Sequence, residues 1–330
     1  MFDIILKNGK SFSCDSVTTI FEAAKKAGIN LDHSCLNARC RSCIVKILVG
    51  ETINNQEELV LTEEQKKQKF VLSCNAKPLS DLELDIEDLG EITLFEKKII
   101  PSKISIIEKL TEEVIKVVLR LPPNSNFNFN SGQYVNIIKG NITRSYSIAS
   151  SSEYKNQLEF FIKKYKNGLM SEYFFEEAKI NDLLRLEGPI GSFFLRDSNC
   201  EHIVFLATGT GIAPIKSIIE SIMIQPLNFN KKQFWIFVGA RYEEDLLWKP
   251  NVINENIKLN YVPVLSRQKK DWNGENGYVQ NAVLKQNINL ENTQVYACGS
   301  NEMIQSSKKL LFENSLCENN FFSDVFVPTN

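Results

Sequence analysis

The chain has 330 residues, 43% hydrophobic and 24% charged, enough to bury cores in two or three domains. Its formal net charge is only −2, and no run of Lys or Arg lies among aromatics, so nucleic acid is not an expected partner. The opening MFDIILKNGK lacks a basic stretch leading into an apolar run, and no span approaches 18 apolar residues; neither signal peptide nor membrane helix is expected, and the reading is cytoplasmic, with no membrane partner.

Residues 3–14, DIILKNGKSFSC, read as two alternating strands around the hairpin signal Asn8-Gly9. TTIFEAAKKAG follows as a helix, with Ile20, Ala23, Ala24 and Ala27 on one face and Gly28 placed to end it. Next comes HSCLNARCRSC, residues 33–43. Cys35, Cys40 and Cys43 stand as C-x4-C-x2-C, and Cys74 follows after 30 residues. In a protein not destined for secretion, such a group points to a metal or redox site rather than to disulfides. The spacing is that of four thiolates holding a 2Fe–2S cluster. Zinc is the alternative, but structural zinc sites usually pair their ligands as two short C-x2-4-C knuckles. Arg39 and Arg41 read first as solvated loop charges, with raising the cluster's potential or docking an acidic partner as the alternatives. A strand IVKILV, a short helix opened by the capping box Thr62-x-x-Gln65 and a last strand DLELDI complete residues 1–93. This front part is acidic, with 11 Lys+Arg against 15 Asp+Glu.

Residues 94–101, which hold Pro101, the first proline after Pro78, read as a linker. From 102 to 197, SKISIIEKL, EVIKVVLRL, QYVNIIK, SYSIAS, LEFFIKK and DLLRLEG are short alternating strands separated by Gly, Asn, Ser and Pro, the pattern of an antiparallel β-barrel. Within it, RSYSIAS places Arg144 and Tyr146 on one side of a strand and Ser147 on the other. NGLMSEYFFEEA opens a helix near Gly168 and Ser171, and helix N-termini suit anions. From 198 to 330 the pattern becomes βα, consistent with a doubly wound parallel sheet. HIVFLATGTGIAPIKSIIESI is a buried strand, a Gly-rich turn and an amphipathic helix; Thr208, Gly209, Thr210 and Gly211 supply hydroxyls and close backbone approach for a phosphate. Gly239, Arg241, Cys298 and Gly299 fall at strand ends, where such sheets bind ligands. Arg241 could hold an adenosine 2′-phosphate, contact an adenine ribose or face solvent. No cluster of further basic residues accompanies it, which favours a dinucleotide without that phosphate, NADH over NADPH once the resemblance below is taken up. His33 and His202 read as packing residues, and no hydrolytic triad is present.

Three signatures in this order resemble the NADH-dependent iron–sulfur flavoprotein reductases of the ferredoxin-NADP reductase superfamily. Those signatures are the cysteine loop, R-x-Y-S with GPIGSFF (188–194), and the GTGIAP turn with YACGS (296–300). The resemblance implies a β-grasp ferredoxin domain (α+β), a flavin barrel and an α/β nicotinamide domain. It implies that Cys35, Cys40, Cys43 and Cys74 hold the 2Fe–2S cluster and that Arg144 binds the flavin phosphate. Tyr146 then packs on the isoalloxazine, and Ser147 hydrogen-bonds near the hydride-accepting nitrogen. Gly168 and Ser171 meet a pyrophosphate, which favours FAD. Cys298 lies beside the nicotinamide, and the ending FFSDVFVPTN, otherwise an edge strand, brings Asp324 and Phe326 to the second flavin face. Catalysis then comes from cofactors, with NADH giving two electrons and the cluster accepting one at a time.

The partner so implied is an iron–sulfur acceptor protein. LTEE at 61, YVPV at 261 and FFSDVFVP at 321 carry the resemblance to the branch serving a pyridoxamine-phosphate/iron–sulfur dehydrase of CDP-3,6-dideoxyhexose biosynthesis. A ring-hydroxylating or other oxygenase component is the alternative acceptor. A non-enzymatic redox-responsive binding protein is the remaining alternative.

Overall fold

The computed structural model describes residues 1–90, 92–229, 231–250, 257–267 and 271–325, without the side chains of 227 and 228. Packing divides it into two units, Met1–Leu94 and Phe95–Asn330.

The first unit forms from local signals. Strands β1 (Phe2–Leu6) and β2 (Ser11–Cys14) pair antiparallel across the Asn8-Gly9 turn, with Gly9 at φ +80°. Helix α1 (Ile20–Lys26) starts at a capping box between Thr19 and Glu22, and Gly28 follows its end at φ +75°. It buries Ile20, Phe21 and Ala24 against Ile4, Phe12, Val45 and Leu82. Strands β3 (Ile44–Val49), β4 (Thr52–Asn54), helix α2 (Glu63–Lys67), β5 (Phe70–Leu72), β6 (Ala76–Pro78) and β7 (Leu82–Leu84) complete it. The main sheet runs β2-β1-β7-β3-β5, with β1 and β7 parallel, as the β-grasp expectation requires.

The second unit begins with β8 (Lys98–Lys109), β9 (Val114–Arg120), β10 (Tyr134–Lys139), β11 (Ile142–Ser147) and β12 (Gln157–Lys163). Helix α3 (Leu169–Glu172) and β13 (Leu183–Ile190) follow. The antiparallel order is β11-β10-β13-β8-β9-β12. The chain beyond β11 turns the sheet back on itself, the Ala149 amide donating to the Glu159 carbonyl of β12 at 2.7 Å. Strand β8 starts inside the stretch read as a linker, so residues 98–101 are strand instead. Pro101 misled the sequence reading, yet it pairs only with Arg185 of β13, because β9 joins β8 from Lys103 onward. Proline is tolerated where one strand side has no partner.

The remainder holds β14 (His202–Thr208), α4 (Ile212–Ile224), β15 (Gln233–Ala240), β16 (Lys258–Leu265) and β17 (Glu275–Asn276). It ends with α5 (Val279–Leu284), β18 (Thr293–Gly299), α6 (Asn301–Phe312) and β19 (Phe321–Val325). All pairings are parallel in the order β17-β16-β15-β14-β18-β19. Sequence order reverses between β14 and β18, which opens a crevice at their carboxyl ends. Barrel and parallel sheet share a core, since Ala149, Phe161 and Phe193 cluster with Ile212, Ile215 and Tyr296. Among the described residues no helix is long and apolar enough to cross a membrane.

Candidate functional site

In the first unit the four cysteines come together as two pairs. The Cys35 amide donates to Cys40 Sγ at 3.3 Å, and Cys43 Sγ lies 3.2 Å from Cys74 Sγ. A binuclear cluster asks two thiolates of each iron, and the pairs suit it. Leu36, Ala38 and Arg41 adopt φ of 54°, 59° and 68°, and this left-handed winding turns amides toward sulfur. The amides of Asn37 and Arg39 donate to Cys35 Sγ at 3.5 and 3.3 Å. Hydrogen bonding from Cys40 and then from these amides, against burial, lowers the Cys35 thiol to about 6. Cys74 is lowered likewise, by Cys43 first and also by the Ala38 amide. The same hydrogen bonds, with burial, raise the partner thiols Cys40 and Cys43, so each pair shares its proton unevenly.

Arg41 is not a solvated charge. Its guanidinium is half-buried, donating to the Val60 carbonyl and to Gln65 Oε1, both at 2.7 Å. Gln65 Oε1 also accepts from the Thr62 amide at 3.1 Å, so the capping box of α2 anchors the cysteine loop as well as the helix. Desolvation lowers the Arg41 pKa, opposed by the nearby Glu58 carboxylate. Sequence reasoning missed this link because its two ends lie 24 residues apart. The capping box was the one available signal.

In the second unit, β11 presents Arg144 and Tyr146 on its partly open side and buries Ser147 on the other. Tyr146 meets Phe174 edge-on at 6.3 Å, and burial raises its phenol well above the ordinary value. Gly168 caps α3, but the Ser171 hydroxyl turns inward. It donates to the Gly168 carbonyl at 2.8 Å and accepts from the Tyr165 amide at 3.1 Å. The side chain shapes the turn that the resemblance assigns to the pyrophosphate.

At the crevice, Thr208 ends β14, Gly209 sits exposed at φ +54°, and Thr210 and Gly211 lead into α4. Gly211 packs so closely on β18 that a Cβ there would overlap the Cys298 carbonyl. Gly299 has φ +149°, and a Cβ there would strike Thr208 Oγ1, which accepts from the Ser300 amide at 3.3 Å. These absent side chains leave bare backbone where a dinucleotide phosphate can approach. Cys298 is fully buried, registers with Asp324 on β19, and has its thiol raised by desolvation and then by that carboxylate. It stands as a neutral thiol, unsuited to nucleophilic attack. Asp324 is itself buried on the edge strand β19; Phe326 lies outside the described residues. Arg241 is exposed at the end of β15. It is not alone, because the Arg267 amide donates to its carbonyl at 2.9 Å and brings a second exposed arginine to the adjacent strand end. A groove of ≈ 650 Å³ bounded by Lys103, Arg120, Pro122, Lys155 and Leu183 contains none of the site residues.

Family models match the chain in the same order. The 2Fe-2S iron-sulfur cluster binding domain covers residues 4–79, the oxidoreductase FAD-binding domain 101–195 and the oxidoreductase NAD-binding domain 205–309. The CDP-6-deoxy-L-threo-D-glycero-4-hexulose-3-dehydrase reductase of Yersinia pestis is 37% identical, the match covering 98% of this chain and 97% of that protein. An anthranilate 1,2-dioxygenase electron transfer component of Acinetobacter baylyi is 28% identical, covering 98% and 96%. An Amycolatopsis cytochrome P450 reductase shares the fold at TM-score 0.72 and 21% identity over 99% of both chains.

Proposed function

This chain belongs to the family of iron–sulfur flavoprotein reductases built from 2Fe–2S, FAD-binding and NAD-binding domains, and on that premise we propose an acceptor for its electrons. The proposed activity takes electrons from NADH through FAD and the 2Fe–2S cluster to the pyridoxamine-phosphate/iron–sulfur dehydrase of CDP-3,6-dideoxyhexose biosynthesis. The observation carrying this choice is the 37% identity to the dehydrase reductase over nearly the whole of both chains. The 28% identity to a dioxygenase component supports the same chemistry with an oxygenase as the second acceptor reading.

The flavin, when bound, supplies exchange between a two-electron donor and a one-electron acceptor. The protein's task is placement. In the proposed assignment Arg144 neutralises the flavin phosphate, Tyr146 covers one ring face, and Ser147 offers a hydroxyl at the reacting edge. The turn at Gly168, held by Ser171, lends amides to the pyrophosphate. Thr208, Gly209, Thr210, Gly211 and Gly299 receive the nicotinamide dinucleotide, with Arg241 and Arg267 toward its adenosine end. Cys298 and Asp324 close the crevice behind the nicotinamide. Cys35, Cys40, Cys43 and Cys74 hold the cluster.

The test is anaerobic NADH oxidation with the dehydrase, pyridoxamine phosphate and CDP-4-keto-6-deoxyglucose, beside a cytochrome c control. The expected result is turnover that requires dehydrase and sugar together. Turnover with cytochrome c but none with the dehydrase system would reject this acceptor and turn the search to oxygenases.

A further inference from the structure

Residues 149–151 directly continue the strand that carries Arg144, Tyr146 and Ser147, and α4 directly continues the turn Gly209–Gly211. One buried cation joins them. Lys216 lies on α4 with its side chain 8% exposed, and its Nζ donates to the Ala149 carbonyl at 3.2 Å. It pairs with Glu159 of β12 at 3.1 Å and with Glu220 of its own helix at 2.7 Å. The next side chain, Ser217, donates to the Ser150 carbonyl at 2.6 Å. Glu220 accepts from the Ser151 amide at 3.3 Å. Side chains 216, 217 and 220 share one helical face and grip three successive backbone groups.

Stability alone gives little reason for this arrangement. Burying an ion pair costs desolvation, and apolar side chains of similar volume often stabilise as well or better. The other buried residues of α4 are Ile212, Ala213, Pro214, Ile215, Ile218, Ile219 and Ile222. Apolar contact is non-directional, so it holds the helix against the barrel without fixing its rotation or its position along the axis. Hydrogen bonds from 216, 217 and 220 fix both. Ala149 is two residues from Ser147, and Lys216 is five from Gly211.

We propose that Lys216 is a positioning residue, holding the dinucleotide-binding turn in register with the flavin-binding strand. The proposal rests on the functional reading above, which gives those two elements their ligands. It adds a determinant of hydride-transfer geometry that touches neither ligand.

The test uses the full-length holoprotein and its Lys216→Met, Lys216→Arg and Ser217→Ala variants. Stopped-flow reduction of the flavin by NADH gives the limiting rate and the NADH Kd, and hydrogen exchange reads the amides of 149–151 and of the first turns of α4. Lys216→Met should keep its FAD and an NADH Kd within about 3-fold, while the limiting rate falls roughly 10- to 100-fold, the effect of ångström-scale misplacement. Its 149–151 and α4 amides should exchange faster together. Lys216→Arg should recover most of the rate and the protection, and Ser217→Ala should fall between. Should Lys216→Met fail to fold with its flavin, the arginine and Ser217→Ala variants decide. An unchanged limiting rate and unchanged exchange in Lys216→Met would overturn the proposal, as would Ser217→Ala and Lys216→Arg that match wild type and Lys216→Met respectively. A wild-type flavin that NADH does not reduce would instead overturn the functional reading, a failure visible before any variant is made.

Discussion

Cys40→Ser is expected to abolish the 2Fe–2S cluster and all transfer to an iron–sulfur acceptor. NADH-driven ferricyanide reduction should stay within about 2-fold of wild type, since the cysteines and the flavin and nicotinamide elements belong to separate units that share no core cluster. The first half follows from the two sulfur pairs: Cys40 receives the Cys35 amide, and its loss leaves one iron with a single thiolate. The second half follows from the core structure. The cysteine loop packs through Ala38, Cys43, Leu61 and Leu72, whereas the flavin and nicotinamide elements have separate clusters in the other unit. Visible spectra and the EPR of dithionite-reduced protein check the first claim, and a ferricyanide assay checks the second. Loss of both activities in a folded, flavin-loaded variant would sink the order of carriers.

Gly211→Ala should lower NADH-driven flavin reduction by roughly 100-fold, again the scale of an ångström misplacement, while leaving FAD bound. An added methyl would overlap the Cys298 carbonyl and crowd the Gly299 nitrogen. These are backbone atoms of a central strand flanked by β14 and β19, so they cannot yield as a flexible side chain would. Gly140→Ala, in the turn between β10 and β11, is the control. A Cβ at Gly140 meets open space, and only its φ of +56° is unfavourable, at a cost of about 1 kcal/mol. Stopped-flow reduction with both variants reads the ranking. A larger loss from Gly140→Ala would contradict the placement of the Gly209–Gly211 turn against β18.

The residues legible in sequence are those whose chemistry depends on short spacing. The cysteine loop, R-x-Y-S and T-G-T-G each fit within about ten residues, and alternation told Ser147 from Arg144 and Tyr146. The residues that escaped act across the fold. Arg41 looked like a loop charge until α2 supplied Gln65, and nothing in the sequence singled out Lys216 until β12 supplied Glu159, 57 positions earlier. Arg267 joins Arg241 only because β15 and β16 are neighbours. Pro101 helped mark residues 94–101 as a linker, because a sequence does not say which side of a strand lacks a partner. The hydrogen bonds by which Ser171 shapes its turn also escaped, because side-chain direction there is decided by the local backbone groups it can satisfy.

The central claim is that one chain carries electrons from a hydride donor to a one-electron centre, and anaerobic NADH titration of the wild-type protein, followed by visible spectra and EPR, tests it most directly. Full reduction should need about 1.5 NADH per chain, two electrons for the flavin and one for the cluster, with the cluster EPR signal growing during the same titration. Bleaching that stops at one NADH per chain, with the cluster still oxidised although dithionite can reduce it, would contradict the account.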